Sequence, residues 1–111
     1  MLFFHKPLIE TYYGYYDTLY YNKPLEGERR EGVAYVRRDV GIFNKAYRLN
    51  STKAIIYGHN HRNNYSVDYY GIKLCFGTKS SRAAYHDRDL IGGSVYILKP
   101  DNTIQIERHY V

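Results

Sequence analysis

The stretch KAIIYGHNHRNNYSVDYYGIKLCFG, Lys53 to Gly77, decides how the chain is read. AIIY is a short apolar run closed by Gly58, the pattern of a buried strand bounded by a turn residue. YSVDYYG and IKLCFGT are β-rich runs separated by Gly71, which predicts two further strands. Downstream, GSVYILK and TIQIERHY are two more, with KPDNT supplying turn chemistry between them. Ile104 and Ile106 fall on one face of the last strand and Gln105 and Glu107 on the other, so that strand has one wet face. Upstream, MLFF predicts a strand that runs into His5, and Pro7 a short helix opening over LIETYY. Tyr12 to Arg38 shows no sustained period and is read as mostly irregular. Val40, Phe43, Ala46 and Tyr47 recur at helical spacing, which predicts a helix from Val40 to Leu49 capped by Asp39. The sum is an α+β domain of about six strands, mostly antiparallel, with one or two helices.

The remaining composition bounds the function. At 111 residues the chain has room for one core, a single domain over residues 1–111. Fifteen of the residues are Tyr and none is Trp, with the tyrosines densest in the first third. Each buries a ring and needs a partner for its hydroxyl. The net charge is +5, but Arg29 and Arg30, then Arg37 and Arg38, are interrupted by acids. No nucleic-acid partner is therefore expected. Cys75 is the only cysteine; it is read as a buried structural thiol, and no disulfide is possible. No apolar run reaches the roughly 20 residues of a membrane span, and MLFFHKPL does not have the length of a signal peptide. A cytoplasmic location without a membrane partner is the expectation.

The histidines carry the chemistry. His59 and His61 stand one residue apart at the end of AIIY. In a strand, positions i and i+2 point to one side, about 6.5–7 Å apart at Cα. Two such imidazoles can each ligate one ion of a pair spaced about 3.5–4 Å. Gly58 is expected to give the backbone freedom for the strand-to-loop turn. His5 sits in the same setting, at the end of an apolar strand and before Pro7. The three are candidates to converge on one metal site, and imidazole favours zinc, iron or manganese. His86 and His109 are read as non-ligands.

Three segments in order, FFHKPL, YGHNHRNNY and GIKLCFGTKS, resemble the C-terminal half of calcineurin-like metallophosphoesterases, in the branch related to purple acid phosphatases. The likeness runs from Leu2 to the closing IQIERHY. It implies an αββα two-sheet sandwich, of which this chain is the C-terminal part, and hydrolysis of a phosphate ester by two metal ions (iron, zinc or manganese) that share a water or hydroxide. By the same resemblance His5 and His59 bind one ion and His61 the other. The aromatic segment Tyr12 to Tyr35 falls where the family builds part of its substrate wall.

The departures define what else is expected. The family takes its other ligands from Asp-x-His, Gly-Asp and Gly-Asn-His motifs of an N-terminal half, and none of these occurs here. Three neutral histidines do not balance two divalent ions, so the chain alone is expected to hold a partial site, completed by the missing half of the domain or by another chain. A sheet built for such a partner is expected to leave an apolar face bare. The competing expectation is a non-catalytic remnant that holds one ion, or binds a protein partner through its aromatic surface. A third, a basic Tyr-rich nucleic-acid module, lacks a recognition motif.

Overall fold

The computed structural model describes all residues, Met1–Val111. Ala54–Tyr57 forms β2, buried along its whole length. Every side chain is apolar or aromatic, so neither face of this strand can meet water without loss. Leu2–Phe4 (β1) and Ile72–Phe76 (β4) flank it, both parallel to it, and Ser66–Tyr69 (β3) closes the sheet antiparallel to β4, in the order β1-β2-β4-β3. Gly92–Leu98 (β5) and Ile104–Tyr110 (β6) form a separate antiparallel hairpin. The expected number of strands and their positions agree with this arrangement. The pairing is divided, with β3-β4 and β5-β6 antiparallel but β1-β2 and β2-β4 parallel, so the main sheet departs from the mostly antiparallel expectation. Parallel neighbours need a long crossover, and the 49 residues from His5 to Lys53 supply one between β1 and β2.

The two faces of the main sheet are covered differently. Ile55, Tyr57, Val67, Leu74 and Phe76 point to a core shared with Leu8, Phe43 and Ala46 from the helical side. Ala54, Ile56 and Cys75 point the other way, against Tyr96, Ile104 and Ile106 of the hairpin. The face expected to be bare is thus covered over β2 and β4 by the chain's own β5 and β6. Exposed apolar side chains remain on Phe3 of β1 and on Val95 and Leu98 of β5.

Ile9–Tyr20 forms helix α1, so most of the tyrosine-dense segment's first part is helical where irregular chain was expected. Its buried residues are Thr11, Gly14 and Thr18. That is helical spacing carried by small side chains, which hydrophobic periodicity does not register. The small face lets α1 lie close on β3: a Cβ at Gly14 would stand 2.8 Å from Val67 Cγ2. The Thr11 and Tyr57 hydroxyls hydrogen-bond, fastening α1 to β2. The second helix, α2, spans Ile42–Leu49 and buries Phe43 and Ala46. Its N-cap is Gly41 in the left-handed region, not Asp39; Asp39 instead accepts the Gly41 N–H at 2.7 Å.

Residues 22–41 have no regular structure but are tied down. Asn60, Asn63 and Asn64, all buried, take the place of a paired strand. Asn64 Oδ1 accepts the Glu28 N–H at 2.8 Å, and Asn63 Oδ1 accepts those of Arg30 and Glu31. Asn60 accepts the Ala34 N–H and donates to the Gly32 carbonyl at 2.8 Å. Backbone groups shielded from water need partners; three side-chain amides supply them here beside two isolated bridges, Glu26 with Ser66 and Arg29 with Asn63. No helix is long and apolar enough to cross a membrane.

Candidate functional site

Because β1, β2 and β4 are parallel, their carboxyl ends lie along one edge of the sheet. Each releases a polar segment there: His5 after β1, Gly58 to His61 after β2, and Gly77 to Ser80 after β4. Together they line a cavity of about 380 Å³. Clefts at the carboxyl ends of parallel strands are where open α/β sheets place ligands. All three histidines singled out from the sequence, His5, His59 and His61, border it.

His5 and His59 are brought into direct contact. His59 Nδ1 and His5 Nε2 are 3.2 Å apart, and the rings meet edge to face. That separation suits two nitrogens on one ion: with metal–nitrogen bonds of about 2.0–2.1 Å, tetrahedral geometry puts ligand nitrogens roughly 3.4 Å apart. Burial, then the nearby His5, Lys6 and His61, hold the His59 ring below the ordinary imidazole value. The neutral form, the one with a free lone pair, is the form favoured.

The turn that carries this pair differs from the expected strand end. β2 stops at Tyr57, so His59 and His61 are not consecutive same-side positions of a strand. The chain turns at once, with the Asn60 N–H donating to the Gly58 carbonyl at 2.8 Å. The left-handed residue in the turn is His59 itself, at φ 69°, and not Gly58. Only His5 Nδ1, 4.0 Å away, would approach a Cβ at Gly58. Strain of the kind at His59 costs of order 1–3 kcal/mol and persists only where the surroundings fix it.

His61 is held separately. Its Nδ1–H donates to the Tyr85 carbonyl at 2.9 Å and its ring stacks on the Tyr85 ring at 4.3 Å between centroids. A carbonyl can only accept, so Nδ1 carries a proton, and in the neutral ring Nε2 is the nitrogen with the lone pair. A second layer fixes Tyr85: Arg30 pairs with Asp87 and Asp89, and Arg62 with Asp87, which clamps the segment carrying Tyr85 onto the 26–34 strap. The nearby acid, Glu31, is committed, accepting from the Arg62 N–H at 2.9 Å and the Tyr85 hydroxyl at 3.4 Å.

No three His, Cys, Asp or Glu side chains gather at metal-binding separations. His5 and His59 are in contact, His61 borders the same cavity, and no Asp or Glu is among the residues that line it. His86 and His109 lie elsewhere, the first donating to the Ala84 carbonyl and the second beside Glu107. Cys75 is buried, and burial pushes its thiol up to about 12. Of the segment Tyr12 to Tyr35, read as part of a substrate wall, none borders this cavity, but Val33, Ala34 and Tyr35 line a neighbouring one that shares His59. Lys79 and Ser80 do, and sequence reasoning misses them; the signal is their place after β4, equivalent to that of His5 after β1. No protein-family model, no curated protein and no solved structure significantly matches the chain.

Proposed function

We propose that this chain provides the histidine half of a metal-dependent phosphoric ester hydrolase of the calcineurin-like type. The observation supporting this reading most strongly is the 3.2 Å approach of His59 Nδ1 to His5 Nε2, made by residues 54 apart in sequence at the ends of two parallel strands. His5 and His59 would hold one ion, and His61, through Nε2, would contribute to the other. A dinuclear centre supplies a nucleophile at neutral pH and offsets charge on the attacking and leaving oxygens. Lys79, at the cavity wall, is placed to meet the negative charge of a phosphate ester. The bridging carboxylate and the remaining ligands come, on this reading, from another segment or chain. That segment would pair along β1, the edge strand that leaves Phe3 exposed.

The test is reconstitution. Combined with the segment bearing those carboxylates and loaded with iron, zinc or manganese, the protein should release phosphate from a generic aryl phosphate. His59→Ala and His61→Ala should each lower the rate at least roughly 100-fold. Unchanged rates in both variants would contradict the reading. A stable chain that binds one ion stoichiometrically, loses it on His5→Ala and gains no activity from any such segment would favour the non-catalytic metal-holding alternative.

A further inference from the structure

A second site lies at the opposite end of β4 from the histidines, where α1 and α2 meet the turn between β3 and β4. Tyr13, Phe43, Tyr47, Tyr69 and Tyr70 line a cavity of about 320 Å³ there. The rings pack as one cluster: Tyr69 and Tyr70 at 88° with centroids 4.7 Å apart, Tyr47 and Tyr70 at 77° and 6.1 Å, and Phe43 and Tyr13 tilted against Tyr69 at 54° and 38°. With five rings around one space, a cation seated there can meet the negative part of an aromatic quadrupole. Glu10 is the single charged residue of the lining, and no lysine or arginine joins it. Burial, and to a smaller degree the nearby Asp39, act against the charge of its carboxyl and push its pKa up. In a chain of net charge +5, Glu10 makes no ion pair, although Arg38 lies with it beside a neighbouring pocket.

We infer that this aromatic cavity is a binding site for an organic ammonium ion, quaternary or alkylated, seated on the tyrosine faces with Glu10 as its counter-charge. A compact hydrated cation such as sodium would gain little from the rings, whereas an alkylated ammonium matches both the apolar wall and the charge. Neutral apolar ligands would leave Glu10 unpaired and half-buried. The site does not depend on the histidine cavity or on the hydrolase reading.

The test uses the whole chain and backbone amide shifts of Tyr69, Tyr70 and Gly71 under titration with choline, with acetylated trimethyllysine amide, and with the neutral isostere 3,3-dimethylbutan-1-ol. Saturable shifts with either cation, and binding of the isostere at least roughly tenfold weaker, are expected. The tighter of the two cations identifies a small metabolite or a modified side chain as the source. Glu10→Gln and Tyr47→Leu should each weaken binding roughly 3- to 10-fold. Tyr47 is 54% exposed, so its replacement leaves the core intact. Equal affinity for the isostere, no shift with either cation up to tens of millimolar, or unchanged affinity in both variants would overturn the proposal. So would shifts of these amides that follow protein concentration alone, because a second copy of the chain would then fill the cavity.

Discussion

At the residue scale, His59 combines two properties that oppose each other. Its ring contacts His5 and is the proposed ligand arm, while its backbone sits at φ 69°. Histidine enters the left-handed region more readily than most residues, yet glycine enters it freely. His59→Gly should therefore be more stable than His59→Ala by about 0.5–1 kcal/mol in urea unfolding, although both remove the imidazole. Equal stability would mean that the turn relaxes and the site is not held under strain. Cys75 makes a second residue-level prediction. With its thiol pushed up to about 12 by burial, the thiolate fraction stays small well into the alkaline range. Alkylation by iodoacetamide should then be slow from pH 7 to 9 in the folded chain and fast in urea. Ready alkylation of the native protein at pH 7 would contradict the packing of β4 against the hairpin.

At the scale of elements, the hairpin depends on Gly92. A Cβ there would overlap the His109 carbonyl oxygen, whereas a Cβ at Gly93 would meet nothing within 4 Å. Gly92→Ala should cost about 1–3 kcal/mol and loosen β5 from β6, while Gly93→Ala should stay within about 0.5 kcal/mol. Similar losses in both would refute the close approach of the two strands at Gly92. The elements also show where sequence was readable. AIIY, IKLCF and the alternating IQIER announce strands because burial of apolar side chains at a fixed period is written directly into them. The start of helix α1 is legible in LIETYY, but its run to Tyr20 is hidden because its inward face is Thr11, Gly14 and Thr18 and tyrosines crowd around it. The 22–41 strap looks like loose chain because what orders it lies elsewhere, in the amides of Asn60, Asn63 and Asn64. Parallel pairing of β1 with β2 is equally invisible locally, since it is set by the crossover and not by the strands.

For the whole molecule, the layered arrangement is what makes a site. Helices on one face and the hairpin on the other fix a sheet whose three parallel strands end together, and that edge gathers His5, His59, His61 and Lys79 around one cavity. The histidines were legible because each follows an apolar run. Their division into a touching pair and a separate third was not, because it follows from the turn at His59 and from Tyr85, 24 residues beyond His61. The central claim is that His5 and His59 share one ion. Zinc titration of the intact chain, followed through the imidazole nitrogen resonances, tests it most directly. His5 and His59 should shift together and saturate at one equivalent, His86 and His109 should stay in place, and His5→Ala should abolish the His59 shift. Independent shifts of His5 and His59, or a His59 shift that survives His5→Ala, would contradict it.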